Sequence, residues 1–465
     1  MSAETIPVAV TSQLGHWLSG LKLSAIPRDV LAHLKLCLLD SIGCGLYGAM
    51  QPWGRIAGDV AVGFSGGGAA SLFARADKVS PADAALANGT AIHGFEIDDA
   101  HVTSSLHPGA VTLPASLAVA EARNASGGEM LAALAAGYEI GLRVGICAGV
   151  SHSTSGYHVT GTVGPLGAAA AAARLLNLDP QQAAHALGIG ATQAAGLYAA
   201  RTGGMAKRFH AGRAAQSGVV AACLAQRGFT GSLDALEAPF GGFMSTLHGQ
   251  HGAATMLDEL GERWETARVG FKAYAACASA HTTIDGVLEL RRRVLTPDNL
   301  DSLTVRMSKK GELNIGWPYK PGEVIAAQMN GYYAAAVTLV DGNAFIDQYD
   351  ESRLADPRIL AVIPKIDIVH DPEIDRGGAP KRHTVKIDAL CKNGIAMSTT
   401  IEQRRGSPEY PLCRDEVEQK FRRLAAAALP ACAIDEVIGL TSQIENQPDL
   451  KRLSALISSN VRKSR

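Results

Sequence analysis

The sequence predicts a mainly α-helical protein in two parts: a large all-helical domain, residues 1–269 with 411–465, and a smaller α+β domain, residues 270–410. Three observations lead there. Hydrophobic residues make up 47% of the chain and aromatics only 5%, so Ala and Leu carry the apolar content; these cost least in a helix, whereas strands favour β-branched and aromatic residues. Up to about Gly261 the apolar residues recur at helical spacing, without the regular strand–helix alternation of a doubly wound sheet. After about Thr266 a two-residue alternation appears. The 465 residues suffice for two cores.

Taken in order, Val30 to Leu46 places Leu31, Leu34, Leu38 and Ile42 on one helical face. Ala82–Ile92, Leu113–Ala122, Glu129–Gly149, Ala168–Leu176 and Gln181–Leu187 continue the pattern, with Pro180 suited to a helix start. Ala214–Gln226 and the stretch on to Leu247 read the same way. Ser302–Ser308, Arg382–Leu390 and Ile395–Glu402 read as strands, the last two joined at Asn393-Gly394, a pair that tolerates the positive φ of a tight hairpin. Helices are expected near Ala280–Arg293 and Ala326–Leu339. Arg414–Leu429 reads as an amphipathic helix that packs back on the first domain.

The 43 basic and 44 acidic residues balance to a net charge of -1, without the basic excess of a nucleic-acid protein. MSAETIPVAVTSQLGHWLSG lacks a basic segment followed by an apolar core, so no secretory signal is expected. No segment reads as a membrane span; the apolar run Gly161–Ala173 reads as a buried helix. The eight cysteines are scattered, with no Cys-x-x-Cys pair, which suggests reduced thiols in a cytoplasm.

The densest polar cluster is Ile92–Pro108, with His93, Glu96, Asp98, Asp99, His101 and His107 between two apolar helices. A buried Asp beside a His orients the imidazole for proton transfer. A capping loop and a metal site compete with that reading, but no familiar metal spacing such as His-Glu-x-x-His occurs. In Gly203–Arg213, Lys207, Arg208, His210 and Arg213 crowd a Gly-led helix start, a setting for an anion or for a lysine that exchanges protons; a solvated basic turn is the alternative, and for Arg208 and Arg213 singly the plainer reading. His158 precedes an apolar run. Cys277 and His281 lie one helical turn apart, Tyr319 lies in a Pro-bounded loop, and Glu139 with Arg143 reads as a structural ion pair.

Segments LLDSIGCGLYGA, NGTAIHGFEIDDAH, LHPGAVTLPASLAVAE, YHVTGTVGPLGAAAAAA, GGMAKRFHAGRAAQSG, FKAYAACASAH and GWPYKPGEVIAAQMNGYYAAAVTLVDG resemble, in that order, the MmgE/PrpD family. That family includes 2-methylcitrate dehydratase, cis-aconitate decarboxylase and iminodisuccinate epimerase. The resemblance implies a large helical domain with a smaller α+β lid, a homodimer, and an active site between the two parts. It implies proton transfer next to a carboxylate of a small di- or tricarboxylate, without cofactor or metal. His107, His158 and Lys207 would then move protons, with Asp98 orienting a histidine. Glu96, His101, Arg208 and Tyr319 would meet substrate, and either Cys277 or His281 would match a further pocket position. Ala100 stands where the family's animal decarboxylase has Thr, and the spacing to His107 is one residue longer. The Asp-Asp-x-His and Gly-Gly-Met-x-Lys-Arg patterns resemble the fungal decarboxylase more. A lyase of a citrate- or aconitate-like acid leads; an epimerase of an amino-dicarboxylate is the alternative, and a non-catalytic carboxylate-binding protein a distant third.

Overall fold

The computed structural model describes residues 9–459. Its first half is built of α1 (Val10–Gly20), α2 (Arg28–Ala49), α3 (Pro52–Ser65), a hairpin of β1 (Ala70–Leu72) and β2 (Arg75–Val79), α4 (Pro81–Ile92), α5 (Gly109–Arg123), α6 (Gly127–Thr154), α7 (Val159–Leu175), α8 (Pro180–Ala191) and α9 (Ala206–Gln226). Local chemistry sets several starts. Ser80 accepts from the Asp83 N–H with Pro81 in the first turn, and Ser126/Glu129 and Asp179/Gln182 form capping boxes. Helix α7 is buried along nearly its whole length and packs against α5, α6 and α9. Small residues make this possible: a Cβ on Gly167 would stand 2.9 Å from the Gly137 carbonyl oxygen of α6. Packing that close brings the ends of α4, α7 and α9 together, and the polar loop after α4 lies at that junction.

The second half contains α10 (Phe243–Thr246), α11 (Ala278–Arg292), β3 (Leu300–Met307), α12 (Lys309–Ile315), α13 (Val324–Gln328), α14 (Gly331–Asp341), α15 (Pro357–Leu360), β4 (Ile366–His370), α16 (Pro372–Arg376), α17 (Gly378–Lys381), β5 (Val385–Cys391) and β6 (Ala396–Ile401). The strands form one sheet in the order β4-β3-β5-β6, with β4 parallel to β3 and the other pairs antiparallel. Along β5 the side chains alternate between buried and outward positions, and α11 lies on the covered side, where Gly286 meets Ile387. Then α18 (Arg414–Ala425), α19 (Ala431–Ser442) and α20 (Lys451–Ile457) return to the first half. Phe421 packs on Gly43 of α2, and the buried Lys420 ammonium lies 2.7 Å from Asp40 and donates to the Ile97 carbonyl at 2.6 Å.

Four expectations change. The first part is not all-helical, because β1 and β2 form a hairpin of their own. The stretch Arg227–Leu247 is mostly turn, with only α10 helical; Gly228, Gly231, Pro239, Gly241 and Gly242 break it. Ala326–Leu339 is two helices, divided at Asn330, whose side chain caps α14 by accepting from the Tyr333 N–H. Finally, α2 and α6 are long and apolar enough to cross a membrane, contrary to the sequence reading; 67% and 94% of their apolar windows are buried inside the protein, so their apolarity is matched by packing.

Candidate active site

The loop from His93 to Pro108 forms one wall of a cavity of about 100 Å³. Glu96 holds a left-handed backbone conformation, φ 54°, unusual for a residue with a side chain. It places the carboxylate between two lysines. Lys207, from the first turn of α9, pairs with Oε1, and Lys272 Nζ lies 3.3 Å from Oε2. Burial pushes the Glu96 carboxyl up, but the two ammoniums outweigh that and hold it well below the usual range. Lys272 also lies 3.7 Å from Asp98.

Asp98, fully buried, accepts from His93 Nδ1 at 2.7 Å and faces His107 Nδ1 at 3.2 Å. Burial opposes its charge, and the two histidines overcome that. His107 Nδ1 also lies 2.8 Å from the Asp99 carbonyl oxygen. Both neighbours are acceptors, so that nitrogen carries the proton and Nε2 keeps the lone pair in the neutral ring. Burial, offset in part by Asp98, lowers His93 to about 4. Asp99 turns away to Tyr138 and the Gly109 N–H, and burial raises it to about 8. His158, N-cap of α7, touches His210 Nδ1 to Nδ1 at 3.0 Å, so one ring donates and the other accepts. Burial and then Lys207 hold His158 well below 6.5, hence uncharged at neutral pH.

The facing wall comes from the second half of the chain: Lys272, Cys277, Ser279, Lys310, Asn314, Arg382, His383 and Arg404 line it. Lys310, at the start of α12, donates to Ser153 at 3.1 Å and lies 5.5 Å from the Tyr198 ring centroid. Burial, then Arg382, lowers it to about 8. Arg382 donates to the Val102 carbonyl across the cleft, and burial lowers it to about 10. Tyr198 and Asn314 join at 3.3 Å. The walls therefore meet through several polar contacts between the two halves.

One group among the described residues has metal-ligand character: His93, Asp98 and His107, whose ligand atoms lie within 4.8 Å of one another. Its present geometry is that of a hydrogen-bonded triad, since Asp98 already accepts from one ring at 2.7 Å and faces the other at 3.2 Å. The Lys272 ammonium beside Asp98 opposes a cation there. The donor set fits a metal poorly.

Residues 12–255 match the MmgE/PrpD N-terminal domain model and residues 274–443 the C-terminal domain model. The chain belongs to the MmgE/PrpD family. A cis-aconitate decarboxylase-like protein of Aspergillus oryzae is 31% identical, covering 97% of this chain and 98% of that protein. The cis-aconitate decarboxylase of Aspergillus terreus is 30% identical, covering 97% and 96%. The human cis-aconitate decarboxylase is 26% identical, covering 97% and 94%. The lean of the sequence motifs toward the fungal enzyme runs the same way as these identities.

Within this MmgE/PrpD fold, Glu96, His101, His107, His158, Lys207 and Cys277 line one cavity, with Asp98 directly behind His107. His101 is held at its edge, with Nδ1 3.0 Å from Ser104 and Nε2 3.6 Å from Glu265. Three candidates lie elsewhere. Arg208 donates to the Gly94 carbonyl at 2.7 Å and stacks 3.7 Å over Trp53, a structural use of a planar cation. His281 is fully buried one turn into α11, near the Ala276 carbonyl at 3.3 Å and the Tyr274 ring; of the Cys277/His281 alternatives, Cys277 faces the cavity. Tyr319 donates to the Leu354 carbonyl at 2.8 Å and packs on Tyr333. Sequence reasoning missed Lys272, Lys310, Arg382, His383 and Arg404 as cavity residues. Of these, Lys272 alone carried a signal, since it lies in FKAYAACASAH, a segment that resembles the family.

Proposed function

We propose that the protein is a cofactor-independent lyase that removes carbon dioxide, or water, from a citrate- or aconitate-like polycarboxylate. Its active site is the cleft between a helical domain, residues 1–269 with 411–465, and an α+β lid, residues 270–410. One observation carries the reading: among the described residues, Lys207, Lys272, Lys310, Arg382 and Arg404 line the cavity against the single carboxylate of Glu96. That surplus suits a small polyanion, and the histidines beside it suit proton transfer. The names of the relatives, cis-aconitate decarboxylases along nearly the whole chain, favour decarboxylation.

In that reaction the bond from a carboxylate carbon to the skeleton breaks. Its electron pair stays on the skeleton and is drawn toward a neighbouring carboxylate, where fixed cations stabilise the developing charge. A proton then returns to carbon. Lys207 carries protons at the cavity wall, positioned by Glu96. His158, presented as a neutral ring, accepts or relays protons, and His107, its ring fixed by Asp98, takes part in the same transfer. Dehydration employs the same groups: a base takes the C–H proton and an acid protonates the leaving hydroxyl.

Incubating the protein in deuterium oxide with a panel of di- and tricarboxylates, followed by proton NMR, tests this. The expected result is loss of carbon dioxide with deuterium delivered to the carbon it leaves, or loss of water with disappearance of the C–H proton taken by the base. Inversion without loss of a group would make the protein an epimerase instead. Folded protein that leaves the whole panel unchanged would overturn the reading.

A further inference from the structure

Arg404 follows β6 in the loop that closes over Phe271, whose N–H donates to the Gly406 carbonyl at 2.8 Å. The residue is 1% exposed, yet Nε, Nη1 and Nη2 all lack a hydrogen-bond partner. Every other buried charge described above has a partner: Glu96 has two lysines, Asp98 two histidines, Lys420 has Asp40, and Arg208 a carbonyl and an indole face. Carboxylates in the neighbourhood of Arg404 are engaged elsewhere. Asp285 accepts from Tyr274 at 2.6 Å and from the Arg405 N–H at 3.0 Å, and Glu409 lies 3.6 Å from Arg268. His281 and His383, which feel its charge, are held uncharged by burial. A guanidinium does not escape burial by losing its proton, and a buried charge without a partner costs several kcal/mol.

The packing keeps this group in place. Gly270 bridges to Ala100 on the helical wall, and a Cβ at Gly270 would stand 3.1 Å from Arg404 Nη2. The absent side chain leaves room for the guanidinium beside the cavity that Arg404 lines. Arg382 and His383 line the same wall, and the free Nδ1 of His383 adds a second unpartnered polar atom.

We propose that Arg404 is the anchor of a carboxylate subsite on the lid wall, taking a second carboxylate of a substrate whose reacting end lies against Glu96, Lys207 and His158. The inference rests on the polycarboxylate reading above and deepens it: a monocarboxylate cannot satisfy both walls. A carboxylate accepts two parallel N–H bonds from a guanidinium, which would supply the partner the fold withholds. Arg404 is thus a specificity residue that selects polycarboxylates.

Titration calorimetry with tricarballylate, a non-reacting tricarboxylate, and thermal unfolding of the ligand-free protein test this on the wild type, Arg404→Gln and Arg404→Lys. Removing one member of a buried charge pair weakens binding by about 30-fold or more. Arg404→Gln is therefore expected to lose at least that factor in tricarballylate affinity while its ligand-free melting temperature equals or exceeds that of the wild type, because an uncompensated charge has gone. Arg404→Lys should recover part of the affinity. Undiminished tricarballylate binding in Arg404→Gln would overturn the subsite and leave the polycarboxylate reading standing. A ligand-free protein destabilised by both substitutions would make Arg404 structural and also overturn it. A wild-type protein that neither binds tricarballylate nor alters any member of the substrate panel would overturn both.

Discussion

The two walls of the cleft treat their charges differently. On the helical wall the charges are matched, in part from across the cleft: Glu96 lies between Lys207 of its own wall and Lys272 of the facing one, and Asp98 between His93 and His107. On the lid wall the charges are mostly of one sign, and one, Arg404, has no partner at all. Matched groups keep fixed positions and protonation states without a ligand, which acid–base chemistry requires. Unmatched cations are held at a cost that an anionic ligand removes. The contrast supports the proposal that the first wall does the chemistry and the second the recognition.

The largest expected effect lies on the helical wall. Lys207→Ala and His158→Ala should each lower turnover by about two to four orders of magnitude, with circular dichroism and melting temperature showing an intact fold. Near-normal turnover in either would remove that residue from the chemistry and blur the division. Next comes the support behind this wall. Lys420 links α18 to Asp40 and to the Ile97 carbonyl in the site loop. Lys420→Ala leaves Asp40 buried without a counter-charge and should cost about 3–5 kcal/mol of stability, read from denaturant unfolding.

A smaller, pH-dependent effect belongs to the lid. Lys310 is lowered to about 8, so it is charged below that pH and loses its charge as pH rises through it. Since the charged form attracts the substrate, kcat/KM should fall several-fold as pH rises through about 8. Lys310→Arg, charged throughout, should remove that fall; an unchanged profile would exclude Lys310 as its source. The smallest effects are expected away from both walls. Tyr319→Phe loses one hydrogen bond to Leu354, about 1 kcal/mol of stability, and should leave turnover unchanged. Exhaustive chelation should likewise leave activity intact; loss with recovery on adding one metal would recast His93, Asp98 and His107 as ligands.

The division also explains what was legible in the sequence. The helical wall comes largely from one segment, Ile92–Pro108, where polar residues crowd between apolar helices, and from Lys207 at a Gly-led helix start. Local density marks them. The second wall draws Lys272, Lys310, Arg382 and Arg404 from positions far apart in the chain; apart from Lys272, each looks like an ordinary surface cation until the chain folds. The same holds for the architecture. Asn393-Gly394 marks its hairpin because the signal is local, whereas β4 pairs in parallel with β3 across some sixty residues and carries no local sign of its partner. His281 and Cys277 share a helix start, and only packing decides that Cys277 faces the cavity.

The most direct test of the division is the tricarballylate affinity of His158→Ala, measured by titration calorimetry beside its turnover. The account expects affinity within about threefold of the wild type despite a turnover loss of at least about 10²-fold. Affinity that falls in step with turnover would contradict it, since His158 would then act by holding the ligand rather than by moving its protons.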